Sequence, residues 1–63
     1  MPVLFLVRWE TAEGNYNILG VFQSSDEAYM FAHARRSASP LDIVELVYDG
    51  ASGGVLRTRI EYL

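Results

Sequence analysis

The residues of this 63-residue chain that could do chemistry are few and dispersed. His33 is the single histidine, and a general base needs both an orienting partner and a nucleophile within reach. The flanking sequence offers neither, so His33 reads as a surface side chain that can contribute to a contact patch. Glu10 with Glu13, and Asp26 with Glu27, have the spacing of paired carboxylates. Asp26 and Glu27 are accounted for by a helix start, and Glu10 and Glu13 fall in a loop without companions. The run Asp49-Gly50-Ala51-Ser52-Gly53-Gly54 has the glycines of a phosphate-cradling loop. It lacks the lysine, and a strand follows it instead of a helix N-terminus, so a flexible hairpin turn is expected. There is no cysteine, and one histidine without cysteine excludes the usual structural zinc ligand sets. No catalytic group, metal or cofactor is expected, and the chain reads as a non-enzyme.

Binding chemistry is the alternative, and charge narrows it. The five basic residues are all arginine, against eight acids, giving a net charge of −3. That balance provides no basic face for nucleic acid. The longest apolar run, residues 3–7, is too short to span a bilayer, and no basic segment precedes it as in a signal peptide. A cytoplasmic protein-binding domain is therefore expected, with neither nucleic acid nor membrane as partner.

The elements that position these residues follow from periodicity. Residues 22–37 carry the helix signature, with Ser24-Ser25-Asp26-Glu27 spaced as a capping box. Acids open this segment, Arg35 and Arg36 close it, and Pro40 stops it. Over residues 25–37 the stripe Ala28, Phe31, Ala32 and Arg35 should face a sheet, with Ala38 at its edge. Tyr29, Met30, His33 and Arg36 should then face outward as a partner-binding patch. Strands are expected over residues 3–9, 17–22, 42–48 and 55–62, with a hairpin loop at 10–16. Gly20, inside a strand, marks a bulge or a close approach of backbone such as that of the helix. The fold class is α+β: a single domain over 1–63, ββαββ, with the helix on one face of an antiparallel sheet ordered 2-1-3-4. Order 1-2-3-4 is the alternative and would need a parallel pair.

One helix covers one sheet face. Val44, Leu46, Tyr48, Leu56, Thr58, Ile60 and Tyr62 are assigned to the covered side with Phe5 and Trp9. The other side should carry Leu4, Leu6, Arg8, Leu19, Val21, Ile43, Glu45, Val47, Val55, Arg57, Arg59 and Glu61. Seven of those twelve are aliphatic, more than a solvated face needs. Self-association as a homodimer is expected there. Leu4, Leu6, Val47 and Val55 would form its centre, and Arg8, Arg57 and Arg59 would form a rim pairing with Glu45 and Glu61 across a two-fold axis. Alternatively the three arginines pair within the chain, with Glu10, Glu45 and Glu61. Because the aromatics are assigned to the covered side, the open face should lack stacking platforms for RNA.

Two family resemblances add to this. Pro2, Arg8 and the chain length resemble the small subunits of the 4-oxalocrotonate tautomerase family, which implies an N-terminal proline acting as general base. That family runs strand, helix, strand, whereas a hairpin precedes the helix here, and Met1 ahead of Pro2 would block the amine. The passage Gly20-Val21-Phe22-Gln23-Ser24-Ser25-Asp26-Glu27-Ala28 is similar to one in small phage and bacterial ββαββ proteins of unassigned function. In size and acidity the chain also resembles phage-borne inhibitors of host defence such as anti-CRISPR proteins. This resemblance implies an inhibitor that binds a host protein. The alternative is a homodimeric bacterial regulatory or small-molecule-binding domain.

Overall fold

The computed structural model describes residues 2–35 and 40–63. The elements run β1 (Val3–Glu10), β2 (Tyr16–Phe22), α1 (Ser25–Arg35), β3 (Leu41–Tyr48) and β4 (Val55–Tyr62). The four strands form one sheet in the order β2-β1-β3-β4, antiparallel at every neighbouring pair, as the sequence predicts. The most apolar strand, β1, lies inside the sheet beside β3, and both carry apolar side chains on two faces.

The helix begins as Ser24 directs. Its carbonyl accepts from the Ala28 N–H at 3.2 Å. The expected reciprocal side-chain bonds of a capping box are not formed among the described residues. Ala28 and Ala32 are fully buried, and their small side chains let α1 sit close over Val7, Leu41 and Ile43. Phe31 packs on Phe22 with ring centroids 5.1 Å apart, and the Arg35 guanidinium lies 3.7 Å from the Phe31 centroid. Ala28, Phe31 and Ala32 of the expected stripe thus face the sheet, whereas Arg35 is exposed. Arg36 and Ala38, assigned to the outer patch and the stripe edge, lie outside the described residues.

Gly20 marks the expected bulge, and the close approach there is by side-chain rings and not by backbone. The β1–β2 register shifts between Val7, opposite Gly20, and Arg8, opposite Ile18, which leaves Leu19 as the extra residue. A Cβ at Gly20 would stand 2.7 Å from the Phe22 ring and 3.4 Å from that of Phe31. Both hairpin turns are closed by main-chain bonds. Thr11 N–H donates to the Asn15 carbonyl at 2.7 Å, and Gly53 N–H to the Asp49 carbonyl at 2.7 Å. Gly14 and Gly53 take positive φ, 86° and 78°, as such turns require. The second turn is tighter than a loose glycine loop. The Asp49 carboxylate accepts the Ala51 N–H at 2.8 Å, which with the Ser52 hydroxyl holds its pKa below the ordinary value.

The faces of β3 and β4 are reversed from expectation. Cross-strand partners share a face, and β1 pairs Val7 with Ile43, Phe5 with Glu45 and Val3 with Val47. Ile43, Glu45 and Val47 therefore lie on the helix side, and β4 follows with Glu61, Arg59 and Arg57. Val44, Leu46, Thr58, Ile60 and Tyr62 face away from the helix. The charged residues of β4 tolerate the helix side because α1 packs on β1, β2 and β3 and, among the described residues, brings no Cα within 8 Å of one in β4.

Candidate functional site

The open face is a grid of cross-strand rows. One row runs Val21, Leu6, Val44, Ile60 across β2, β1, β3 and β4, and the row beside it ends in Leu4, Leu46 and Thr58. Val21 and Ile60 are exposed, whereas Val44, flanked on both sides, is 6% exposed. Of the residues expected to self-associate, Leu4, Leu6 and Arg8 lie on this face. Val47 does not: it is 4% exposed on the helix side, and Arg57 and Arg59 lie on that side too. Val55 is exposed beside Tyr48, past the register shift that interrupts β3 and β4. The apolar excess of the open face survives this exchange, because the alternation in β3 is aliphatic in both phases.

The third row is polar at its centre and holds the ion pair of this face. It runs Ile18, Arg8, Asp42, Tyr62. Arg8 Nε donates to Asp42 Oδ1 at 2.9 Å and Nη2 donates to Oδ2 at 2.8 Å, a bidentate fork. The Asp42 side chain is 6% exposed and that of Arg8 18%. The Tyr16 ring lies under the guanidinium, 3.9 Å from its centroid to Cζ. The hydrogen bond to Asp42 raises the Arg8 pKa, against the opposing effect of burial. Arg8 thus pairs with Asp42 and with none of the glutamates expected for it. The pair cancels its own charge, so the three rows of the open face are apolar around it, and Glu10, exposed opposite Tyr16, stands at their end as a free charge among the described residues. The open face also carries Tyr16 and Tyr62, against the expectation that its aromatics would all sit under the helix. Asp42, Tyr16 and Tyr62 escaped sequence reasoning because only the register brings them to Arg8. A carboxylate inside the apolar run Leu41-Asp42-Ile43-Val44 was the available signal.

On the helix side, the part of β4 beyond the reach of α1 floors a cleft of about 300 Å³. Ser25 and Tyr29 of the helix form one wall, and Phe5, Ile43, Glu45, Arg59 and Glu61 form the remainder. Arg57 Nη2 approaches Oε1 of Glu45, one of these lining residues, at 3.9 Å. Tyr29, expected to face outward, instead packs against the core. Its position, 100° around the helix from Ala28, lets the long ring reach the sheet. His33 is exposed and stacks on Tyr29 at 6.0 Å. Met30 is 74% exposed, so the outer helix patch reduces to Met30 and His33 among the described residues.

Pro2 is exposed, with its carbonyl accepting the Tyr48 N–H at 3.1 Å and its ring against Gly50. No group of three or more His, Cys, Asp or Glu is clustered to hold a metal among the described residues. No helix there is long and apolar enough to cross a membrane. Comparison of the chain with protein-family models, with curated proteins and with solved structures finds no match.

Proposed function

We propose that this chain is a non-enzymatic protein-binding domain whose binding surface is the open face of the sheet. The observation that carries this reading is the pairing of Arg8 with Asp42 at the end of an uncovered aliphatic grid. A face meant for water or for a charged ligand would leave its central charge free. Here the fork pairs the Arg8 cation and, among the described residues, leaves only Glu10 free at the end of the face, so the aliphatic rows favour an apolar partner surface such as that of a protein. The narrower reading is an inhibitor of a host defence protein carried by a phage or mobile element. It draws its support from small size, acidity and the resemblance of residues 20–28.

The test is stoichiometric co-purification from the native host with the parent chain, with Ile18→Glu/Val21→Glu and with Met30→Glu. One protein retained by the parent and by Met30→Glu, but lost by the β2 double variant, is the expected result. Retention unaffected by the charges on β2, or no stoichiometric protein at all, overturns the reading. The second reading, a small-molecule-binding domain, is favoured by the cleft between α1 and β4. Native mass spectrometry of the same preparations separates the two, because a metabolite held without any protein supports the second alone.

A further inference from the structure

Beyond the open face, β4 forms an unpaired edge of the sheet. All eight residues of β4 are exposed, and α1 does not reach it. The Leu63 N–H donates to the Leu41 carbonyl at 3.1 Å. With Leu41 opposite Leu63, the antiparallel alternation turns the main-chain groups of Arg57, Arg59 and Glu61 toward β3. Those of Thr58, Ile60 and Tyr62 point out of the sheet. Such an edge is a template for another strand. The opposite edge, β2, is broken by its bulge at Leu19, whereas β4 pairs without interruption from Arg57 to Tyr62.

We propose that β4 pairs with β4 of a second copy of this chain, antiparallel about a two-fold axis at Ile60. Charge selects both the occupant and the register. About that axis Arg59 stands opposite the partner's Glu61, and Glu61 opposite the partner's Arg59. Both are exposed, and among the described residues neither has an ion-pair partner within its own chain. An axis at Thr58 would set Arg57 against the partner's Arg59, and an axis at Arg59 would set two arginines face to face. Only the Ile60 register brings opposite charges together without opposing like ones. About six main-chain hydrogen bonds would form, two for each opposed pair of outward-pointing residues. Both helices then lie on one side of an eight-stranded sheet, and the clefts beside β4 meet across the axis. The pairing leaves the open face uncovered and does not depend on what binds there.

Sedimentation of the parent chain at about 100 μM should give a dimer that weakens as salt is raised. Arg59→Glu alone, or Glu61→Arg alone, should weaken it at least about tenfold by opposing like charges. The double exchange Arg59→Glu/Glu61→Arg should return the affinity to within about threefold of the parent. Ile60→Pro gives a charge-independent check, because it deletes an outward N–H that has no role inside the chain. It should be monomeric with its circular dichroism preserved. In hydrogen exchange, the amides of Ile60 and Tyr62 should gain protection with protein concentration while that of Arg59 does not. A parent monomer at about 1 mM overturns the proposal. So does a dimer indifferent to the single charge reversals, or a folded double exchange that stays monomeric.

Discussion

Arg8 and Asp42 place a charge pair inside a sheet surface that is otherwise largely aliphatic. Removing one member leaves the other poorly solvated, which costs about 3–5 kcal/mol for a fully buried pair and somewhat less here, where Arg8 keeps contact with water. Asp42→Asn should therefore lower stability by about 2–3 kcal/mol in urea unfolding, a large share for a small domain. The joint replacement Arg8→Met/Asp42→Leu should recover most of the loss, since two apolar groups of similar volume need no partner. If Asp42→Asn alone is neutral, the fork contributes nothing to the fold. At the second turn, the depressed Asp49 pKa has a definite sign. A carboxyl that binds its proton less readily folded than unfolded adds stability at pH values above its unfolded pKa, and that stability is lost as pH falls through the folded value. An NMR titration should place the Asp49 midpoint below that of an unstructured aspartate. In Ala51→Pro, which removes the N–H donor, the midpoint should move back up.

At the scale of the elements, the helix rests on a few contacts that can be tested singly. Phe31→Ala removes the ring that packs on Phe22 and carries Arg35, and should cost about 3 kcal/mol. Met30→Ala, next to it but exposed, should stay within about 0.5 kcal/mol of the parent. Gly20→Ala should cost about 1–3 kcal/mol, because the added methyl meets the Phe22 ring at 2.7 Å. Ser24→Ala should fall near the lower end of the cap range, about 0.5 kcal/mol, since the helix opens on the Ser24 carbonyl and not on its hydroxyl. The sequence showed these features because they are local: a capping residue, an alanine-rich stripe and a glycine within a strand. The phase of β3 is not local. Ile43 and Val47 alternate with Val44 and Leu46, so both faces read as buried, and only pairing with β1 decides between them. β4 misleads for another reason. Arginine and glutamate at alternate positions suggest the face away from the helix, yet on an edge strand the helix side can also be wet. The self-association surface read from the sequence mixed the two faces because it inherited that phase.

The whole molecule is markedly flat. The Cα radius of gyration is 12.0 Å, and the principal extents are 37 × 27 × 15 Å. A compact chain of this length would have a radius of about 10.6 Å, so the protein is a flat two-layer slab. Its buried apolar residues gather on β1, β3 and α1, and Val7 is the largest side chain that is fully enclosed. The two faces of the slab should therefore answer differently to the same insult. Val47→Glu sets a carboxylate at a buried position on the helix side and should leave the chain unfolded at room temperature. Val21→Glu sets the same carboxylate on the open face, where the position is exposed, and should change stability by no more than about 0.5 kcal/mol. The native parent should bind an apolar fluorescent dye on that open face, and Val21→Glu should reduce the signal without lowering the melting temperature. If Val47→Glu folds while Val21→Glu does not, the assignment of the two faces is reversed. The aliphatic grid proposed as the binding surface would then be the side that faces the helix.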